Sequence, residues 1–269
     1  MESFLDACHR GDLAEAQRLV GLRGVDIHDG RAFWWACVYG HLEVAQWLFS
    51  LNAVDIHADY HDVFRGACGN GHLVVAQWLF SLGGVDIHDL NDEAFRWACR
   101  HGQLVVAQWL FSLGGVDIHA RNDEAFRSAC GNGHLEVAQW LVGLGDVDVH
   151  ALHDDVFRIA CCCGHLVVAQ WLLSLGGVNN HAAKDAAFRW ACSNGRLVVA
   201  QWMFSLGGVN IHAEHDFAFR EACAQQRLRT GRWLVAMEPD WPWPTWGMRA
   251  LQTWSPARDA WMRGVLTFK

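Results

Sequence analysis

Basic charge is scarce in this 269-residue chain: its only lysines are Lys184 and Lys269, and the net charge at neutral pH is −8. A nucleic-acid duplex needs a basic face to neutralise its phosphates, so nucleic-acid binding is not expected. Proline is equally sparse. All four residues, Pro239, Pro242, Pro244 and Pro256, follow Met237, which confines the strongest helix breakers to the tail. The opening Met1-Glu2-Ser3-Phe4-Leu5-Asp6 has no cationic segment and no long apolar run, so no signal peptide is expected. No formal charge occurs between Arg158 and Lys184, yet His165, Gln170, Ser174, Asn179 and Asn180 interrupt that stretch, and a membrane span is not expected. Chemical motifs are missing too: there is no glycine-rich phosphate loop, nucleophile elbow, paired-histidine zinc motif or CxxC pair. An enzyme is not expected, and no cofactor is implied.

What the chain has instead is a period. Trp47, Trp78, Trp109, Trp140, Trp171, Trp202 and Trp233 recur every 31 residues. Phe33, Phe64, Phe95, Phe126, Phe157, Phe188 and Phe219 keep the same spacing, and so do seven cysteines from Cys37 to Cys223. A fixed period of this size means one supersecondary unit copied and stacked, each copy covering its neighbour's apolar face. The expectation is a single array, and stacked repeats point to surface recognition more than to chemistry.

One unit, residues 92–122, shows the design. Asp92 reads as an acidic cap before Glu93-Ala94-Phe95-Arg96-Trp97-Ala98-Cys99, a short helix that Gly102 ends with a left-handed backbone angle. Leu104 to Leu113 reads as a second helix with one polar arc at 105, 108 and 112, and Gly114-Gly115 stops it. Val116-Asp117-Ile118-His119 is a brief extended arm, and 120–122 is a turn into the next unit.

A helix, a tight turn, an antiparallel helix and a projecting loop closely resemble the ankyrin repeat. Gly-His-Leu-Glu-Val-Ala at 40–45 and 133–138 resembles the family's second-helix signature, and Leu113-Gly114-Gly115-Val116-Asp117-Ile118-His119-Ala120 resembles its loop. The resemblance covers about residues 2–237 in about eight copies. It implies an all-α, helix-turn-helix-loop solenoid with a divergent C-terminal cap, and a protein-binding scaffold. The unit is two residues shorter than the usual ankyrin length, and the threonine-proline-leucine-histidine opening is absent. Asp92, Asp123, Asp154, Asp185 and Asp216 are expected to cap the first helices in its place. Repeats with this phrasing also resemble those of large DNA viruses and protists, which would place the protein in a host cytoplasm.

The organisation expected is an array over 1–237 and a Trp/Pro-rich tail over 238–269. Glu238-Pro239-Asp240-Trp241-Pro242-Trp243-Pro244 cannot continue a helix, and Ser255-Pro256 opens one over 257–266. Trp241, Trp243, Trp246, Trp254 and Trp261 suit a lid on the last repeat. The alternative is a docking segment that makes the chain an adaptor for a ubiquitin ligase. Gln226 stands where every other copy has the inter-helix glycine.

Ten cysteines suggest a disulfide framework, but equivalent atoms in stacked copies lie roughly 8–10 Å apart, and bridging needs Cα atoms within about 7 Å. They read as small buried residues in a reducing, cytoplasmic setting. The histidines form two ladders. His57, His88, His119, His150, His181 and His212 sit one per loop; His41, His72, His134 and His165 open second helices and are expected to bond backbone locally. A tetrahedral metal site needs four converging ligands, and none is expected.

Where copies differ, partner contacts are expected. These positions are Trp35, Ile159 and Trp190 after the Phe-Arg position, with Trp97 in the central unit; Tyr39, Arg100 and His101 before the inter-helix glycine; and Tyr60 and Arg121 at loop tips. Loop carboxylates, opposed only by Arg31, Arg121 and Lys184, sum into a negative stripe that favours a basic or mixed-charge protein partner. The protein is expected to act as a monomer.

Overall fold

The computed structural model describes residues 3–21, 27, 30–51, 60–145, 147, 149, 151–176 and 181–252, without the side chains of 60, 151–154, 181–184, 250 and 252. Of the sequence expectations, His28, His57, Asp59, His150, and the side chains of Tyr60, His153, Asp154, His181 and Lys184 lie outside the described residues. So do Trp254, Trp261 and the helix expected over 257–266. The chain forms two compact units, Met1–Val147 and Asp148–Lys269.

Each unit is built from antiparallel helix pairs, and no strand occurs among the described residues. The first unit contains α1 (Phe4–Arg10), α2 (Leu13–Val20), α3 (Gly30–Val38), α4 (Leu42–Ser50) and α5 (Tyr60–Gly69). It continues through α6 (Leu73–Ser81), α7 (Asp89–Arg100), α8 (Leu104–Ser112), α9 (Ala120–Gly131) and α10 (Leu135–Gly143). The second contains α11 (Ala151–Cys163), α12 (Leu166–Ser174), α13 (His181–Ser193), α14 (Leu197–Ser205), α15 (Ala213–Ala224), α16 (Leu228–Met237) and α17 (Thr245–Gln252). Odd-numbered helices pack on odd-numbered neighbours: α3 on α5 and α5 on α7 in the first unit, α11 on α13 and α13 on α15 in the second.

The core follows from helical spacing. On each first helix Phe, Ala and Cys stand at i, i+3 and i+4, one stripe of the helix. Phe95, Ala98 and Cys99 are all buried, as are their counterparts from Phe33 to Cys223. On α4, α6, α8, α10 and α12 the buried set is Val, Ala and Leu, for example Val106, Ala107 and Leu110, while α14 has Met203 in the leucine place and α16 buries Thr230, Gly231 and Leu234. Fully burying a phenylalanine or leucine contributes about 1.5–3 kcal/mol, and the first-helix phenylalanine recurs in every pair. The ten cysteines are all free thiols.

The tryptophan ladder links neighbouring pairs. Trp109 meets Phe64 of the preceding first helix edge-on at 6.2 Å and Phe80 of the preceding second helix at 6.0 Å. Trp78 makes the same two contacts with Phe33 and Phe49, and Trp233 with Phe188 and Phe204. The rings are half-buried rather than enclosed.

Asp92, Asp123 and Asp216 do not cap first helices. Ser3 and Asp12 are side-chain caps, accepting from the amides of Asp6 and Glu15. Asp92 instead lies in a left-handed turn: Leu90, Asn91 and Asp92 have φ of 52°, 61° and 57°. Arg121-Asn122-Asp123 and Glu214-His215-Asp216 repeat it. A left-handed residue cannot place its carboxylate over its own helix amides. Asp92 Oδ1 accepts a hydrogen bond from His88 Nδ1 at 2.6 Å, and Oδ2 accepts one from the Asp117 amide at 3.0 Å. His119–Asp123 and His212–Asp216 pair likewise, so the loop histidine ladder closes these turns.

The second histidine ladder is also not local. His41 Nε2 bonds the His9 carbonyl at 2.8 Å, one repeat earlier. Its ring occupies the space where a Cβ on Gly11 would stand, and His72 does the same over Gly40. The inter-helix glycine is therefore required twice, for φ of 84° at Gly40 and for close approach of the next repeat's imidazole.

Candidate functional site

The positions that vary between copies fall on the first helices and the turns beside them. In the first unit α3 carries Trp35 and Tyr39, with rings stacked at 5.5 Å. His9 of α1 stands edge-on to both, at 4.6 and 4.3 Å. Trp34, which the repeat comparison passed over, joins Trp35 edge-on at 5.7 Å and is exposed. It occupies the position that holds arginine in six later copies, and that break in the pattern was the available signal. Tyr39 is 46% exposed.

On α7, Trp97 is 41% exposed and tilts against His101 at 5.6 Å, whose Nδ1 bonds the Trp97 carbonyl at 2.9 Å. Both rest on α5: a Cβ at Gly69 would lie 3.2 Å from Trp97 Cε3 and 3.6 Å from His101 Nδ1. Arg100 beside them is exposed. Between the patches α5 carries two glycines whose missing side chains let neighbours approach closely: Val38 of α3 lies over Gly66, and Trp97 and His101 lie over Gly69. At about 10 Å per helix step, the patches stand roughly 20 Å apart. Arg121 lies at a loop tip, 3.8 Å from Glu124 and half exposed. Only the backbone of Tyr60 is described. In the second unit Trp190 is 46% exposed and meets Phe217 at 6.5 Å, while Ile159 is half-buried.

The electrostatics differ from the expected stripe. Arg65 pairs with Asp62 and with Glu93 of the next repeat. Arg96 reaches Glu124 at 2.6 Å, Arg158 pairs with Asp155, and Arg189 pairs with Glu214. Carboxylates counted as unopposed are thus neutralised by arginines next to the core phenylalanines. Arg96 is 3% exposed, and it also donates to the carbonyls of Asn91 (2.9 Å) and Leu90 (2.7 Å). It ties the left-handed turn to the following repeat. The signal was legible: the Phe-Arg arginine has an acid 28 residues later at 93, 124 and 155.

At the C-terminal end of the second unit, residues 238–252 pack on its last helix pair. Trp243 is buried against Phe219 at 4.7 Å and donates from Nε1 to the Glu238 carbonyl at 2.8 Å. Trp241 stacks on His212 at 3.6 Å, and Glu238 accepts from His212 Nε2 at 3.0 Å. A Cβ at Gly247 would lie 2.6 Å from Phe219 Cε1.

Compared with known proteins, residues 95–142 match the family model described as ankyrin repeats in many copies. Among solved structures the chain is similar to the human ASB11 ankyrin repeat domain at 20% identity and a TM-score of 0.48, covering 65% of this chain and 83% of that one. No curated protein matches the chain.

Proposed function

Since the chain is an ankyrin-repeat protein, we propose that it binds a partner protein on the exposed first-helix residues of its first unit, around Trp97, Arg100 and His101. Ankyrin repeats are protein–protein interaction scaffolds, and that coarse role is this chain's. The observation that carries the finer reading is the exposure of Trp97, held in place over Gly69 of the preceding first helix. An indole left in water beside an arginine is the composition of an interface anchor. Trp35 and Tyr39 provide a second patch, and Trp190 a smaller one on the second unit. Arginines and histidines hold the loop carboxylates, which favours a partner of mixed charge over a strongly basic one. A cytoplasmic setting draws support from ten free thiols. No helix among the described residues is long and apolar enough to cross a membrane.

Packing of Trp243 and Gly247 on Phe219 supports a lid role for the segment after Met237, ahead of the ligase-adaptor alternative. The test uses cross-linking to identify the partner, then titration of that partner onto wild type and Trp97→Ala. The substitution should weaken binding by about 2 kcal/mol, the scale of an interface hot spot. Unchanged affinity would move the site off this face. If the cross-linked proteins are ligase components attached through residues 238–252, the adaptor reading takes over.

A further inference from the structure

The second unit carries a cleft of about 300 Å³ where its helix pairs turn back, with Gly164, Gly195, Arg196 and Arg229 on its walls and no carboxylate among its lining residues. Its cations are a departure within the array. The residue opening the second helix is His41, His72, Gln103, His134 and His165 in successive copies, then Arg196 and Arg227. Two positions on, Glu43, Val74, Val105, Glu136, Val167 and Val198 give way to Arg229. A chain of net charge −8 thus gathers three arginines at one edge of its last two repeats.

The geometry leaves these arginines free to bind. His41 spends its Nε2 on a carbonyl of the preceding repeat. Arg196 does that structural job with Nε alone, donating to the Cys162 carbonyl at 3.2 Å. Its two terminal nitrogens make no bond among the described residues. The stem is fixed, because a Cβ on Gly164 would lie 2.8 Å from Arg196 Cδ, and Arg227 rests on Gly195 in the same way. The side chains of Arg227 and Arg229 make no hydrogen bond or ion pair among the described residues. The cleft also takes in Leu197 to Val199, the first turn of α14, whose amides no side chain caps.

We propose that this cleft binds a phosphate group, held by the terminal nitrogens of Arg196 and by Arg229 with Arg227 beside them. A planar guanidinium presents paired donors that match the oxygens of a phosphate, and two lining one cavity, Arg196 with its stem fixed, define a position for it. The volume is at the lower end of ligand pockets, enough for a phosphate and a small attached body. That body is either a small phosphorylated compound or the phosphorylated side chain of a protein. The site is independent of Trp97 and of the face it occupies.

Full-length protein should be titrated calorimetrically with inorganic pyrophosphate, with a phosphoserine heptapeptide and with its unphosphorylated twin. The matched variant is Arg196→His with Arg229→Val, residues the array itself uses at these positions, so the fold should be kept and circular dichroism checks it. Wild type should bind the phosphorylated probes, and the variant should bind them at least about tenfold more weakly. Phosphopeptide binding about tenfold tighter than pyrophosphate identifies a phosphorylated protein as the source, and the reverse order a small ligand. The proposal is overturned if wild type ignores both probes up to about 10 mM, if the folded variant binds equally well, or if the unphosphorylated peptide matches its twin.

Discussion

Single residues in this array carry two duties where the repeat pattern suggests one. Gly40 turns the chain with a positive φ and also leaves room for His72 of the next repeat. Gln226 stands at the corresponding place with φ of 57° and a side chain, the only non-glycine among the described inter-helix turns. The left-handed region costs an L-residue about 1–2 kcal/mol, part of which glycine gives back through its looser unfolded chain. Gln226→Gly should therefore stabilise the protein by about 0.5–1 kcal/mol in urea unfolding. No gain would mean that Gln226 makes a compensating contact.

His72 supplies a pH dependence. Burial, then the neighbouring charge of His41, holds its pKa below the usual 6.5 despite a hydrogen bond that the ring donates to the Val38 backbone. The unfolded chain then binds the proton more readily than the folded one, so stability is full above the ordinary histidine pKa and declines as pH falls through it. The melting temperature should drop between about pH 7.5 and about pH 5.5. His72→Gln, the residue found at position 103, should flatten that drop. An equally steep drop in the variant would assign the effect to other histidines.

At the scale of elements, the left-handed turn that opens α7 is held from outside itself. Three consecutive non-glycine residues with positive φ persist because Arg96 takes the carbonyls of Leu90 and Asn91 while pairing with Glu124, and His88 takes Asp92. Arg96→Met keeps the stem's bulk but removes every one of those donors, leaving two carbonyls and a carboxylate to find other partners. Breaking a buried pair from one side costs about 3–5 kcal/mol. A loss near that size in denaturant unfolding is expected; a loss below about 1 kcal/mol would show that the turn holds without its clamp.

For the whole molecule, the buried thiols give a direct check on the packing. Burial pushes Cys8 and Cys223 up to about 11 and raises Cys37, Cys68, Cys99, Cys130, Cys161 and Cys192 further. Thiol reagents attack the thiolate, so these eight should stay silent in the native protein. Only Cys162 and Cys163, which are partly exposed, should react with an aromatic disulfide reagent, with Cys162 slowed because burial raises its pKa too. Counting released chromophore before and after denaturation tests this, and early release from a ladder cysteine would show that the helix pairs open readily.

The period and the helical stripes were legible in the chain itself, because Phe-Ala-Cys and Val-Ala-Leu spacings have no other way to bury one face. The glycines that end each first helix, the half-buried tryptophans and the free thiols follow from the same local rules. Partner choice among polar groups was not legible. Asp92 reads as a cap and is instead the acceptor for His88 and for the Asp117 amide, while His41 bonds His9 rather than its own turn. His88 and Asp92 are four positions apart, but the other two pairings join residues 25 and 32 positions apart. The stacking of one repeat on the next decides which donors and acceptors meet, and no spacing within a single repeat contains that information. The loop-edge pairs of Arg65 with Glu93 and Arg96 with Glu124 do leave a trace, an acid 28 residues after the arginine, but it shows only when one repeat is read against the next.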